Sequence, residues 1–177
     1  MAKKMSLKEV GDSFFCAEME TLVDKQPYIS FVFMASIIEF IGKCYCRCKD
    51  GLPFQVSNTR YDYCKIIKEL DSLKKYSFFN FKDSKGYNNY MYTELRCGMV
   101  HALLPKTKIK LSPTENELGD YTIGASELYS DIKNAWEEIM NIPEILQYVS
   151  ETPAIEVYDN TSGGTASNGS VSASTIQ

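Results

Sequence analysis

The sequence predicts an all-α domain with one small β-hairpin before its last helix. Three observations lead there. Apolar residues recur at helical spacing through most of residues 7–150. One short stretch, Lys106 to Leu111, alternates charged and apolar residues as an edge strand does. The 177 residues are 44% hydrophobic and 24% charged, a globular composition that excludes global disorder, collagen and a multi-span membrane protein. A chain of this size removes roughly 70% of its unfolded surface from water, so it can hold a core without staples. Residues 1–150 read as one helical domain and residues 151–177 as a flexible Ser/Thr/Gly-rich tail. From Thr161 onward that tail carries no charge and too little apolar area to order itself.

The elements follow in order. Leu7 to Lys25 places Leu7, Val10, Phe14, Phe15, Met19 and Leu22/Val23 near helical spacing, and Gln26-Pro27 ends this first helix. Pro27 opens a second helix to about Cys48, apolar nearly all round and therefore central. Asp50-Gly51-Leu52-Pro53 is turn chemistry. Tyr61 to about Tyr76 predicts a third helix with Tyr63, Ile66/Ile67, Leu70 and Leu73 inside. Asn80 to Asn89 is polar, contains Gly86 and reads as a loop. Tyr90 to Leu104 predicts a fourth helix, stopped by Pro105. Lys106–Leu111 and Tyr121–Ile123 would pair as the hairpin around Ser112-Pro113. Ser126 would cap a last helix to about Ser150, with Leu128, Ile132, Ala135/Trp136, Ile139/Met140 and Ile145/Leu146 inside and Pro143 kinking or dividing it.

The N-terminus starts basic, but no apolar stretch and small-residue cleavage site follow, so a cytoplasmic location is expected. Tyr28 to Ile41 has eleven apolar residues in 14 and holds Glu39. That falls short of the roughly 20 residues of a bilayer span, and no membrane association is expected. Reduced thiols suit such a compartment for Cys16, Cys44, Cys46, Cys48, Cys64 and Cys97. Cys44-Tyr-Cys46-Arg-Cys48 lacks the spacing of zinc pairs and reads as the apolar end of a helix. No metal or other cofactor is expected. The net charge of −4 argues against non-specific coating of nucleic acid. The charge is uneven, however: residues 60–110 carry eleven basic and five acidic groups, and residues 111–177 one and eleven. Lys106 and Lys108 belong to the basic block and are candidate phosphate-binding residues.

One constellation carries chemistry. His101 is the only histidine and Arg96 one of three arginines, and together they spell R-x₄-H on the fourth helix. Five α-helical steps put them about 140° apart, flanking a stripe of Thr93, Cys97 and Val100. Met91, Leu95, Met99 and Ala102 form the opposite face, expected to pack inward. Glu94, Cys97 and His101 lie on the polar side at i, i+3 and i+7. The long arginine could reach round to the imidazole. Such a pair suits RNA cleavage without metal. Histidine takes or gives a proton near neutrality, and a permanently charged arginine steadies the charge on phosphorus. A capped histidine near a helix C-terminus is the non-catalytic alternative, and a Cys97–His101 dyad at i, i+4 is a further one. Glu39, alone in an apolar run, needs a partner. Arg96 would serve, as would a backbone or tyrosine donor.

The long apolar helix with Ile38-Glu39-Phe40-Ile41-Gly42-Lys43, followed by a helix ending Leu95-Arg-Cys-Gly-Met-Val-His101, resembles the HEPN superfamily (higher eukaryotes and prokaryotes nucleotide-binding domains). These are small helical bundles whose signature is R-x₄₋₆-H near the end of a core helix. The resemblance covers roughly residues 7–150, and only its Arg96/His101 element is specific. It implies a homodimer in which two motifs converge across the two-fold. It implies a metal-independent endoribonuclease of a toxin–antitoxin or antiviral system, with an antitoxin protein as a further partner. By position, Arg96 and His101 become the catalytic pair, with Glu39, Glu94 and Cys97 in support. Active members commonly place Asn, Asp or His directly after the arginine. This chain has Cys97 there, which opens the alternative of a non-catalytic, dimeric interaction or nucleotide-binding module.

Overall fold

The central helix organises the molecule. The computed structural model describes residues 2–158, apart from residues 84 and 107. The elements are β1 (Ala2–Ser6), α1 (Leu7–Ser13), α2 (Ala17–Lys25), α3 (Pro27–Lys49), α4 (Thr59–Glu69), a 3-10 segment (Lys74–Phe79), a π-helical turn (Tyr92–Cys97) and α5 (Gly98–Ala102). Then come β2 (Lys110–Ser112), a 3-10 turn (Leu118–Asp120), β3 (Thr122–Gly124), α6 (Ala125–Met140), α7 (Pro143–Glu151) and β4 (Pro153–Tyr158). Helix α3 touches α1, α2, α4, α5, α6 and α7. It is long and apolar enough to cross a membrane by length and composition. Eleven of its residues are nevertheless buried in the bundle, Arg47 among them.

Three expected helices, the first, the third and the last, are divided, and the fourth is shortened. The first stops at Ser13 and restarts at Ala17. The interruption lets adjacent phenyl rings dock on different helices, Phe14 on Phe40 at 5.2 Å and Phe15 on Tyr129 at 6.1 Å. The third ends at Glu69, because the Glu138 carboxylate on α6 accepts from the backbone of Asp71 and Ser72 and from the Ser72 hydroxyl. Those bonds satisfy donors that a continued helix would have used internally. The fourth forms over Tyr92–Ala102 only, its first part in π register, and ends at Leu103 in the left-handed region (φ 56°) rather than at Pro105. At the last helix Pro143 divides the element and sits at the start of α7. Gly124, not Ser126, occupies the cap, and the Ser126 hydroxyl donates to the Pro113 carbonyl.

The expected hairpin is corrected. Its two strands exist, but β2 and β3 pair in parallel, Leu111 opposite Ile123. The tight antiparallel turn forms one step later in the chain, with Glu117 bridged to Thr122. That turn takes one edge of β3 and leaves the other edge to β2. The Asn116 side-chain oxygen accepts from Gly124 N and holds the connection in place. A second, antiparallel pair was not expected: β1 lies against β4, so part of the segment assigned to the tail, Pro153–Tyr158, is a strand. Five residues without alternation give β1 no signal of its own; its pairing creates it. Glu151, where the tail was expected to begin, ends α7, and residues 159–177 of the expected tail lie outside the described residues.

The expected inner faces are buried: Tyr63, Ile66, Ile67, Leu70 and Leu73, then Leu128, Ile132, Ala135, Trp136, Ile139 and Ile145. Leu146 is instead exposed and Met140 only partly buried. Helices α3 and α4 meet closely at Gly42, where an added Cβ would lie 2.4 Å from the Asp62 carbonyl oxygen. Beside it the Arg47 guanidinium donates to the Asp62 carboxylate, an ion pair inside the bundle. Gly42→Ala should therefore lower stability by about 1–3 kcal/mol through overpacking. Gly119→Ala, where nothing lies within 4 Å, should be near neutral. Urea unfolding of both variants checks this, and equal midpoints would contradict the close helix approach.

Candidate active site

The site is assembled from α3 and the Tyr92–Ala102 segment. Met91, Leu95 and Met99 point into the core as their spacing requires, and they turn Arg96 and His101 outward. Ala102, expected on that inner face, is exposed. The Arg96 N–H passes over the Tyr92 carbonyl, its α-helical partner, to reach the Met91 carbonyl at 3.3 Å, the i→i+5 register of a π-turn. Such turns are rare and gather at functional sites. Gly98 lets the chain after α5 fold back: an added Cβ there would lie 2.5 Å from the Leu104 carbonyl oxygen. Lys106 N donates to the Glu94 carbonyl at 2.9 Å and fastens that return.

Arg96 is the hub. Its Nε donates to Glu39 Oε2 at 2.6 Å, so the lone carboxylate of the apolar helix finds its partner here. Its Nη1 lies 3.3 Å from His101 Nε2, and the length of the arginine spans the separation between the two positions. Its plane lies over the Tyr92 ring, 5.6 Å from the centroid. Burial works against the guanidinium's charge, but the Glu39 hydrogen bond and charge outweigh it and raise the Arg96 pKa above its usual value. A guanidinium has no acceptor, so Nη1 donates and Nε2 carries the lone pair. The imidazole is thereby held with its basic nitrogen toward the arginine. His101 is exposed, whereas Arg96 and Glu39 are mostly covered.

The other expected residues are placed as follows. Glu94 is buried, and its nearest cation is Lys108 at 4.0 Å. Lys108 also lies over the Phe81 ring at 5.3 Å, so it is drawn toward Glu94 and Phe81. Lys106 is exposed, with its backbone tied to the π-turn. Cys97 is half-buried, and its thiol makes no hydrogen bond among the described residues, to His101 or otherwise. The structure thus brings together Arg96, His101 and Glu39, and separately pairs Glu94 with Lys108.

Sequence reasoning missed Tyr92 and the Arg47–Asp62 pair. Tyr92 supports the guanidinium. Its hydroxyl lies 3.0 Å from Thr59 Oγ1, and its ring packs edge-on against Tyr63 at 5.6 Å. Its position four residues before Arg96 was the available signal. Among the described residues no group of three or more His, Cys, Asp or Glu is placed to hold a metal ion. Burial, with Asp62 beside it, pushes the Cys46 thiol up to about 12, and burial raises Cys44 further. Thiols held neutral are poor ligands and nucleophiles. Compared with family models, curated proteins and solved structures, the chain matches none of them.

Two outcomes follow from this geometry. Alkylation of the native protein at neutral pH should leave Cys44 and Cys46 unmodified until the chain is unfolded; rapid labelling would show the bundle to be open there. Glu39→Gln should cost about 1.5–3 kcal/mol, as a hydrogen bond to a charged group does. It should also move the single histidine's ring signals in an NMR spectrum, although Glu39 does not touch that ring. Unmoved signals would show that Arg96 is not steered by Glu39.

Proposed function

We propose that this chain is a HEPN-like, metal-independent endoribonuclease that acts as a cytoplasmic homodimer in a toxin or defence system. The observation that carries this reading is the Arg96 guanidinium lying between Glu39 and Nε2 of the exposed His101. Glu39 occupies Nε and leaves the Nη edge for a phosphate. When a phosphodiester takes that edge, Nη1 is drawn from the imidazole and Nε2 is released to act as base. His101 then accepts the proton of the ribose 2′-hydroxyl, whose oxygen attacks phosphorus. The P–O5′ bond breaks, leaving a 2′,3′-cyclic phosphate on one fragment. The leaving O5′ takes a proton to become a hydroxyl. Arg96 steadies the charge that builds on the phosphoryl oxygens.

Attack and departure occur on opposite sides of phosphorus, and each protomer has one histidine. A second protomer supplies the imidazolium for O5′, which is the reason for the homodimer. Leu103 and Leu104, two and three residues after His101 and each 68% exposed, provide apolar surface for that contact. An active ribonuclease in the cytoplasm needs restraint, and an antitoxin protein is the partner proposed for that task. A second reading, a non-catalytic dimeric interaction or nucleotide-binding module, is favoured by Cys97. The position after the arginine offers a thiol without a hydrogen bond instead of a polar donor or acceptor.

The purified chain should cut single-stranded RNA in the presence of EDTA and leave 2′,3′-cyclic ends. His101→Ala should lower the rate by about 10²–10⁴-fold, and Arg96→Ala by about 10²–10³-fold. Cleavage that survives His101→Ala would overturn the ribonuclease reading. A dimer by sedimentation with no cleavage of any RNA would establish the second.

A further inference from the structure

Apart from the Arg96–His101 pair, α4 and the segment around Tyr87–Tyr90 enclose an open cleft of about 570 Å³. None of Glu39, Arg96 or His101 lines it. It is nevertheless joined to the site. Tyr92, under the Arg96 guanidinium, is bonded to Thr59 at the start of α4, and the outer face of the same helix forms one wall.

That wall presents Arg60, Tyr61, Lys65 and Lys68; the other presents Tyr87 and Asn88. Two aromatic rings are left open to solvent, Tyr61 at 43% and Tyr87 at 63%. Each has a cation on its face: Lys65 Nζ is 5.3 Å from the Tyr61 centroid and Arg60 5.8 Å from that of Tyr87. Arg60 is held by Asp83 at 2.7 Å and donates to the Asn88 carbonyl. Lys65 donates to the Tyr61 hydroxyl, neither Lys65 nor Lys68 makes an ion pair among the described residues, and the Glu69 carboxylate also lines the cleft. The Asn88 side-chain oxygen accepts from Asn80, which leaves its amide N–H groups unspent.

The second wall is built and not merely a loop. Asp83 Oδ1 accepts from Lys85 N and Tyr87 N, and Asn80 Oδ1 accepts from Asn89 N and Tyr90 N. These bonds hold Tyr90 at φ 40°, a strained value for a residue with a side chain. Strain of this kind persists only where the surroundings enforce it, and here it sets the wall beside the π-turn.

Open rings, ammonium groups without an ion pair and a free amide in one cleft match a single chemical class. We infer that the cleft binds a nucleoside monophosphate unit, its base stacked on the tyrosines and its phosphate on Lys65 and Lys68. The unit has two sources, a free mononucleotide or one nucleotide of a single-stranded RNA; the second rests on the ribonuclease reading.

Calorimetric titration of the full chain tests this with AMP, UMP, adenosine, ribose 5-phosphate and a single-stranded 2′-O-methyl hexanucleotide, which lacks the 2′-hydroxyl and resists cleavage. AMP, UMP or the hexanucleotide should bind saturably, and adenosine and ribose 5-phosphate at least about tenfold more weakly. Tyr87→Ala and Lys68→Gln, both at exposed positions, should each weaken binding about tenfold, within the range of lost base stacking or a lost phosphate contact. A hexanucleotide about tenfold tighter than AMP, and weakened further by Arg96→Ala, identifies RNA as the source; equal affinities identify the free mononucleotide. No saturable binding by any nucleotide probe, ribose 5-phosphate bound as well as AMP, or indifference to both substitutions would overturn the inference. Nucleotide binding without RNA cleavage fails the ribonuclease reading alone. RNA cleavage with binding indifferent to Tyr87 and Lys68 fails the cleft alone.

Discussion

A carboxylate carried on an apolar helix has to be matched, and in this molecule the match is Arg96. Glu39 projects from α3, the helix that nearly every other helix touches. An uncompensated charge at such a place would cost far more than the pair returns. Pairs of this kind add little net stability over an apolar replacement, because desolvation offsets attraction. Their consequence is positional. The 2.6 Å bond to Nε decides how the guanidinium is turned, and the turned guanidinium presents Nη1 to His101 Nε2. The π register at Tyr92–Cys97 and the fold-back over Gly98 belong to the same constraint, since both hold Arg96 against α3.

Helix α3 holds a second ion pair, and the contrast explains why only one is a candidate for chemistry. Arg47 and Asp62 are sealed between α3 and α4, with Arg47 Nε and Asp62 Oδ2 lacking hydrogen-bond partners. No ligand reaches them, and their role is to set how α4 sits on α3. The Glu39–Arg96 pair lies at the edge of the bundle and opens onto an exposed histidine. The same two chemical groups are thus sealed by packing in one place and open toward an exposed side chain in the other, and solvent access makes the difference.

Much of the architecture was legible because burial imposes a period on the sequence. The inner faces of α4 and α6 and the central place of α3 all follow from apolar spacing. What escaped was the interruption of helices. Local spacing runs smoothly through Phe14-Phe15 and through Asp71-Ser72, and the breaks come from Phe40, Tyr129 and Glu138, far away in the chain. A competing acceptor on another helix takes backbone donors away from the local ladder, and no local pattern announces it. The parallel sense of β2 and β3 escaped for a related reason, since the Glu117–Thr122 bridge reassigns the edge that a hairpin would have used.

For the site, residue types and spacing alone determined that an arginine and the single histidine share one segment with an apolar back. They also determined that Glu39 required a partner. Chemistry dictates both, because a side chain's charge and its place on a helix are properties of the sequence. Tertiary structure decided which partner Glu39 took, that Lys108 turned to Glu94 and Phe81, and that Tyr92 came to lie under the guanidinium. Each of these is a choice among several donors and acceptors within reach. Such a choice is settled by the distances that packing allows between elements, and those distances exist only once the chain has folded.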